Sequence, residues 1–284
     1  MNEHLIRPDP EATVQIDVTA SSAGWRYLSF KVVALQAGQS YRHETDDTEV
    51  ALVPLQGRAE LAAGDQRFAV ARSGVFEEAP HILYAPPRTT VTVQANADFA
   101  FAIGSAPAEG RYPIRLFNPE EMKQEVRGGG AATRQVNHVL AHPLPAERLI
   151  LFEVYVPGGM YSGWPPHCHD GYADSPYLEE VYYYRIDPEE GYCIHRNYRI
   201  DNDFDELFTV RNGDLVLVTQ GFHPVAVPPG SRVYFLNYLA GELLHEERAR
   251  PPYDDPTWAW MKEDFEGNPL PLPVFDTNTE NEHE

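Results

Sequence analysis

Proline and glycine recur along the whole chain and divide it into short apolar runs. The 25 prolines and 20 glycines separate runs rich in Val, Ile, Leu, Tyr and Phe, each about as long as a β-strand. In the first half, strands are predicted near residues 25–35, 49–55, 67–71, 89–94 and 99–104. In the second half, they are predicted near residues 149–156, 178–186, 192–199, 215–218 and 233–239. This spacing predicts an all-β protein with a barrel or jelly roll in each half.

The segment 118–134 is predicted to connect the two halves. It contains EEMKQEVRGGG, which has no apolar stripe and ends in three consecutive glycines, the pattern of a mobile linker. We therefore expect two units, 1–140 and 141–284, that could be distant duplicates of each other. The last stretch, 276–284, is acidic and is expected to fray.

The charge balance excludes several classes of partner. The chain carries 43 acidic against 22 basic residues, a formal net charge of −21, so it lacks the basic field that binds nucleic acid or anionic lipid. No apolar run reaches the roughly 18 residues of a membrane-spanning helix, and the first residues do not resemble a secretion signal. We expect a cytoplasmic protein whose two cysteines stay reduced.

The segment PPHCHD holds the most informative pattern. In a strand, alternate residues share a face, so His167 and His169 can point to one spot inside a barrel while Cys168 points away. Glu180 in the following aromatic run can add a carboxylate, although Glu179, on the opposite face, is an alternative. His223 offers a third imidazole. Three nitrogens and one oxygen suit Zn²⁺, with Mn²⁺ or Fe²⁺ as alternatives.

Several phrases of the second half resemble a known family. PPHCHD, LEEVYYYR, GFHPV, YFLNYLAG and RLILFEVYVPGG are similar to the 5-deoxyglucuronate isomerases of myo-inositol breakdown, bicupins related to uronate ketol-isomerases. In the first half, SGVFEEAPHILYAPP is the best match. The chain departs from the family at Cys168, where lysine is usual, and in the stretch 159–164.

The resemblance implies a fold, a metal site and a reaction. The fold would be all-β with two cupin domains: a degenerate, metal-free cupin over 1–140 and a metal-binding cupin with an acidic tail over 141–284. The metal would be held by His167, His169, Glu180 and His223. The reaction would convert 5-deoxy-D-glucuronate to 2-deoxy-5-keto-D-gluconate, so the expected partner is a small sugar acid.

An aldose–ketose isomerisation by proton transfer also needs a base near the substrate carbon. The candidates nearest to the ligands in sequence are Tyr182, Tyr184 and Asp170, although aromatic runs usually serve core packing.

The substrate carboxylate needs a local cation in so acidic a protein. Only three lysines are present, so arginine is predicted to bind it, through a planar fork that can hold a carboxylate with two hydrogen bonds. The candidates are Arg196, Arg199 and Arg185, with Arg196 slightly preferred on strand parity.

The first half holds a partial imitation of the ligand set in His43, Glu49 and His81. Tyr41 stands where a second histidine would be needed, so this cupin is predicted to have lost its metal. His195 and His245 are expected to be structural or exposed, and Cys193 to be a buried apolar residue.

Two rival functions remain open from the sequence. An Fe²⁺ cupin dioxygenase would use the same ligands, and a non-catalytic cupin would bind a sugar acid without turnover. A homo-oligomer is compatible with either.

Overall fold

A computed structural model describes residues 3–265 of the chain, so the acidic stretch 276–284 lies outside the described residues. Within them the chain forms strands joined by turns, with 3₁₀ turns at Pro119–Glu121, Gly130–Ala132, Tyr172–Asp174, Glu247–Ala249 and Ala259–Lys262. None of the helices in the described part is long and apolar enough to cross a membrane.

The first half forms one eight-stranded antiparallel sheet that folds on itself. Its strands follow β1 (Leu5–Ile6) and are β2 (Val14–Val18), β3 (Ser29–Leu35), β4 (Ser40–Glu44), β5 (Thr48–Ala63), β6 (Gln66–Arg72), β7 (Ile82–Ala85), β8 (Thr90–Pro107) and β9 (Arg115–Phe117). The order is β2-β3-β8-β5-β7-β9, with β4 on β8 and β6 on β5. Register shifts near Gly57 bend β5. A Cβ at position 57 would lie 1.9 Å from the Asp98 carbonyl oxygen, so only glycine fits there.

The second half forms a seven-stranded sheet facing a four-stranded one. Its strands are β10 (Lys123–Arg127), β11 (Arg134–Leu140), β12 (Ile150–Val156), β13 (Tyr161–Ser162), β14 (His167–Cys168), β15 (Leu178–Asp187), β16 (Tyr192–Tyr198), β17 (Asp205–Arg211), β18 (Leu215–Val218), β19 (Val225–Ala226), β20 (Arg232–Gly241) and β21 (Tyr253–Asp254). The sheets run β1-β18-β15-β20-β12-β11-β10 and β13-β19-β16-β17, and β14 pairs with β21. Valine and aromatic side chains fill the space between them.

The prediction that segment 118–134 is a mobile linker is wrong. Segment 118–134 contains β10, which pairs with β11 along its whole length and extends the seven-stranded sheet. Its side chains are mostly exposed, so an edge strand of this kind shows no apolar stripe in the sequence. The units 1–140 and 141–284 stay a prediction, but the hydrogen bonding changes sheet earlier, between β9 and β10.

A buried glutamate of the first half holds the backbone of the second. The carboxylate of Glu49, at the start of β5, accepts hydrogen bonds of 2.6–2.7 Å from the backbone N–H groups of residues 147–149. The Tyr84 hydroxyl donates a fourth bond of 2.8 Å. These bonds fasten the chain just before β12 to the opposite barrel.

Glu179 of the second half makes the reciprocal contact. Its carboxylate, at the start of β15, accepts hydrogen bonds of 2.7–2.8 Å from the backbone N–H groups of residues 26–28, just before β3. Glu49 faces Ala106 in the sheet register, and Glu179 faces Ala240. The repeated arrangement supports a distant duplication of the two halves.

Apolar packing surrounds these two contacts. One continuous cluster joins side chains of both halves, among them Phe30, Tyr183 and Tyr238. The buried ion pair of Arg72 with Glu153, at 2.8 Å, also crosses between the halves. The two barrels therefore share one core.

Replacing either glutamate should destabilise the fold. In Glu49→Ala or Glu179→Ala, three buried or partly buried N–H donors lose their acceptor, so we expect the free energy of unfolding to fall by about 3 kcal/mol. Chemical denaturation followed by circular dichroism measures this. Glu60→Ala, at an exposed position of β5, is the control and should change stability by less than about 0.5 kcal/mol. Equal stability of all three variants would contradict the assigned role.

Candidate metal centre

His167 and His169 lie at the end of β14, which β21 holds in place through the pair His167 and Asp254. Their ring centroids are 6.3 Å apart. Cys168 between them is fully buried and packs in the opposite direction, against Tyr198 and Phe222. The alternation expected of a strand therefore turns both imidazoles to one side.

Glu180 on β15 meets these histidines. Its Oε2 lies 2.8 Å from Nε2 of His169 and 3.4 Å from Nε2 of His223. Glu179 points to the interface between the barrels, so the two adjacent carboxylates serve opposite faces of one strand.

Hydrogen bonds to the backbone orient two of the rings. Nδ1 of His169 donates to the Leu178 carbonyl, and Nδ1 of His223 donates to the Gly221 carbonyl, both at 3.0 Å. In this tautomer each Nε2 is an acceptor, and Nε2 of His223 is buried without a hydrogen-bond partner. An acceptor nitrogen 2.8 Å from a carboxylate oxygen needs a shared proton or cation between them.

Burial controls the charge of these groups. It lowers the pKa of His167 to about 3, with help from the neighbouring His169 and Arg134, and it lowers the pKa of His223 well below its usual value. Burial also raises the pKa of Glu180. For His169 burial lowers the pKa, but the hydrogen bond with Glu180, the charge of Glu180 and the backbone hydrogen bonds together outweigh it, so the net pKa is raised. His167 and His223 are therefore neutral at pH 7, the state in which imidazole binds a metal.

The donor set fits a divalent cation. Ligand atoms of His169, Glu180 and His223 all lie within 4.8 Å of one another. Among the described residues, these three form the group of His, Cys, Asp or Glu side chains that could hold a metal ion. His167 lies outside this group but beside it, with its ring centroid 4.8 Å from that of His223. Imidazole nitrogens and a carboxylate oxygen suit Zn²⁺ and its neighbours in the first transition row.

A cavity of about 610 Å³ opens beside the centre. His167, His169, Glu180 and Tyr182 line it. It is also lined by residues that sequence reasoning missed: Arg134, His138, Ser162, Trp164, Asn237 and Lys262. Ser162 and Trp164 lie in the stretch 159–164, where the chain departs from the family, and Arg134 ends the segment 118–134 that was predicted to be a linker.

The three predicted catalytic residues differ in position. Tyr182 lines the cavity, next to Asn237 in the sheet register. The Tyr184 hydroxyl instead donates to Nδ1 of His195 at 2.6 Å, and His195 Nε2 donates to Asn197 at 2.8 Å. Tyr184 is thus part of a closed hydrogen-bond chain in the barrel core, where it cannot reach a substrate in the cavity.

Asp170 is also hydrogen-bonded to groups of the protein. Its Oδ2 accepts hydrogen bonds from Arg199 at 2.6 Å and from the backbone N–H of Gly221 at 2.7 Å. Since Asp170 follows His169, and the Gly221 carbonyl holds His223, this carboxylate fixes two ligand-bearing segments relative to each other. Asp170 is not among the residues that line the cavity, and its bonds are those of a group that orients ligands.

The predicted substrate-binding arginines do not reach the cavity. Arg199 is bound to Asp170 and Asp201. Arg196 forms an exposed ion pair with Asp205, and Arg185 lies over the Tyr183 ring, on the face of β15 opposite Glu180. Strand parity shows which residues share a face, but not which face borders the cavity.

The partial ligand set of the first half does not come together. Glu49 is bound by the backbone at the interface, and the residue after it, which corresponds to Glu180, is Val50 in the apolar interior of the barrel. His43 lies on β4 opposite Val91. Glu49 therefore stabilises the fold and is not available as a ligand.

Comparisons with known proteins show the family of this chain. The sequence model of the KduI/IolB family matches residues 4–261. The chain is 40% identical over 261 residues to a 5-deoxy-glucuronate isomerase of Geobacillus thermodenitrificans, covering 90% of this chain and 93% of the relative. It is 34% identical over 253 residues to the 5-deoxy-glucuronate isomerase of Bacillus subtilis strain 168, covering 87% and 92%.

Solved structures show the same fold. An IolB-like protein from Salmonella typhimurium superposes with a TM-score of 0.86 at 36% identity, covering 90% of this chain and 98% of that one. An oxalate decarboxylase of Lactobacillus farciminis superposes with a TM-score of 0.61 at 11% identity, covering 86% and 88%, a likeness of fold alone. The predicted fold class, all-β with two cupin barrels, is confirmed. The chain belongs to the KduI/IolB family, and it is an isomerase.

Proposed function

We propose that this isomerase depends on a divalent metal and converts 5-deoxy-D-glucuronate to 2-deoxy-5-keto-D-gluconate in myo-inositol breakdown. The observation that carries the proposal is the convergence of His169, Glu180 and His223 on one point beside a cavity. The names of the relatives support the substrate. A cavity of about 610 Å³ accommodates a six-carbon sugar acid.

His167, His169, Glu180 and His223 would hold the metal, with Zn²⁺ favoured and Mn²⁺ or Fe²⁺ as alternatives. When bound there, such an ion supplies a Lewis acid that polarises a carbonyl oxygen. The backbone acceptors at Leu178 and Gly221 would keep two of the imidazoles aligned for this role.

Of the three candidate bases, Tyr182 is the one that lines the cavity, but its protonation state suits a hydrogen-bond donor and not a base. Burial raises the pKa of its phenol well above the usual value, so the hydroxyl stays protonated at neutral pH and donates a proton or a hydrogen bond to a substrate oxygen. The apolar walls of the cavity, at Ile150, Leu178 and Leu239, exclude water from the reacting atoms.

We also place the enzyme in the cytoplasm. Both Cys168 and Cys193 are buried free thiols, which suits a reducing compartment.

Turnover by the metal-loaded protein tests the proposal most simply. We expect protein loaded with Zn²⁺ and incubated with 5-deoxy-D-glucuronate in D₂O to form the ketose, followed by NMR, with or without oxygen. Deuterium in the product indicates proton transfer through solvent-exchanging groups, and its absence indicates either hydride transfer or a proton returned by a base shielded from solvent. Product formed only with oxygen would point to a dioxygenase, and binding without turnover to a non-catalytic cupin; either result contradicts the proposal.

Loss of a ligand should remove the metal but leave the fold. For His167→Ala and His223→Ala we expect most of the bound metal to be lost and activity to fall at least about 100-fold, while the apolar core keeps the barrels folded. Elemental analysis and circular dichroism measure the two effects. His43→Ala, in the first barrel, is the control and should keep its metal. Full metal content in both ligand variants would exclude this centre.

A further inference from the structure

An acidic protein that binds a sugar acid needs a cation inside the cavity. Besides Arg134, the cationic side chains that line the cavity have other partners. Lys262 pairs with Asp254, and Arg127 pairs with Glu125. Arg250 donates to the Asp174 carbonyl, and Arg248, whose Nε also lacks a partner, donates three hydrogen bonds of 2.6–2.8 Å to backbone carbonyls. Arg134 donates only two, longer bonds, at 3.1 and 3.4 Å. These bonds leave Arg134 as the strongest candidate to receive an anion.

Arg134 is largely buried and incompletely hydrogen-bonded. Within residues 3–265 it has no acidic partner: its Nη1 donates to the carbonyls of Ala132 and Trp164, at 3.1 and 3.4 Å. Its Nε is buried without a hydrogen-bond partner. A buried guanidinium held only by neutral carbonyls is electrostatically costly, and a carboxylate from the ligand would compensate it.

The glycine-rich turn before β11 positions this side chain. Gly128 has a φ of +78°, and a Cβ there would lie 2.8 Å from Nη1 of Arg134 and 2.2 Å from the Ala132 oxygen. The backbone of this turn therefore packs closely against the guanidinium. The same Nη1 donates to the carbonyl of Trp164, three residues before His167.

The position of Arg134 relates it to the metal centre. Arg134 and the ligands His167 and Glu180 line the same cavity. Its positive charge helps to lower the pKa of His167 and opposes the rise in the pKa of Tyr182, so Arg134 lies within electrostatic range of a proposed metal ligand and of the proposed hydrogen-bond donor. Burial lowers the pKa of Arg134 to about 10, which still leaves it charged at neutral pH.

We propose that the guanidinium of Arg134 binds the carboxylate of the sugar-acid substrate and so orients the other end of the sugar toward the metal centre. This assignment rests on the proposed function, because it names the residue that selects an acid at the same site. It replaces Arg196, Arg199 and Arg185, whose guanidinium groups are engaged outside the cavity.

Arg134→Gln and Arg134→Lys test the proposal on the zinc-loaded full chain. We expect Arg134→Gln to raise KM for 5-deoxy-D-glucuronate about ten- to a hundredfold, since a charged hydrogen bond is lost, with a smaller change in kcat. Lysine keeps the charge but not the fork, so Arg134→Lys should raise KM about three- to tenfold. Arg42→Gln, an exposed arginine paired with Glu44, is the control and should match wild type.

Binding of D-glucuronate against D-glucose, measured by calorimetry, separates this proposal from the proposed function. The two probes differ at the carboxylate, and we expect wild type to prefer the acid and Arg134→Gln to lose the preference while keeping its metal. If these binding preferences are found but 5-deoxy-D-glucuronate is not turned over, the role of Arg134 is supported and the proposed substrate is contradicted. Turnover with unchanged KM and unchanged acid preference in Arg134→Lys and Arg134→Gln overturns the role of Arg134 and leaves the function standing. If the glutamine variant does not fold, the lysine variant decides.

Discussion

Two adjacent glutamates on one strand connect the packing of the two barrels with the candidate metal centre. Glu179 accepts three backbone hydrogen bonds from the first barrel, and Glu180 meets the histidines of the second. Because adjacent strand residues face opposite sides, fixing Glu179 at the interface also fixes Glu180 in the centre. The first barrel repeats the interface glutamate as Glu49 but has Val50 beside it, so it contributes support and no matching carboxylate ligand.

The surroundings of the centre explain how it would be kept ready for a cation. Backbone carbonyls orient two imidazoles, Asp170 ties together the segments that carry them, and burial keeps His167 and His223 neutral. A low-dielectric cavity strengthens each of these interactions. Its polar groups stand on strands or on turns with several hydrogen bonds, so little reorganisation is needed when a substrate enters.

Local sequence patterns predicted the strands and most of the centre. Strand geometry predicts that His167 and His169 share a face, and the aromatic run after Glu180 predicts a strand that carries this carboxylate. The substrate arginines could not be predicted in this way, because their roles depend on which sheet covers which face. Glu49 resembled a ligand only until tertiary contacts placed it against residues 147–149, and Arg134 was hidden by a glycine-rich turn that resembles a linker.

The central claim is that one cation binds at the point where the second-barrel histidines meet Glu180. Anomalous diffraction at the zinc edge, from crystals grown with Zn²⁺, locates such an ion directly. The account predicts a strong peak within bonding distance, roughly 2.0–2.2 Å, of His167, His169, Glu180 and His223. A peak elsewhere, for example beside His43, or no peak at this point in zinc-loaded crystals, would contradict it.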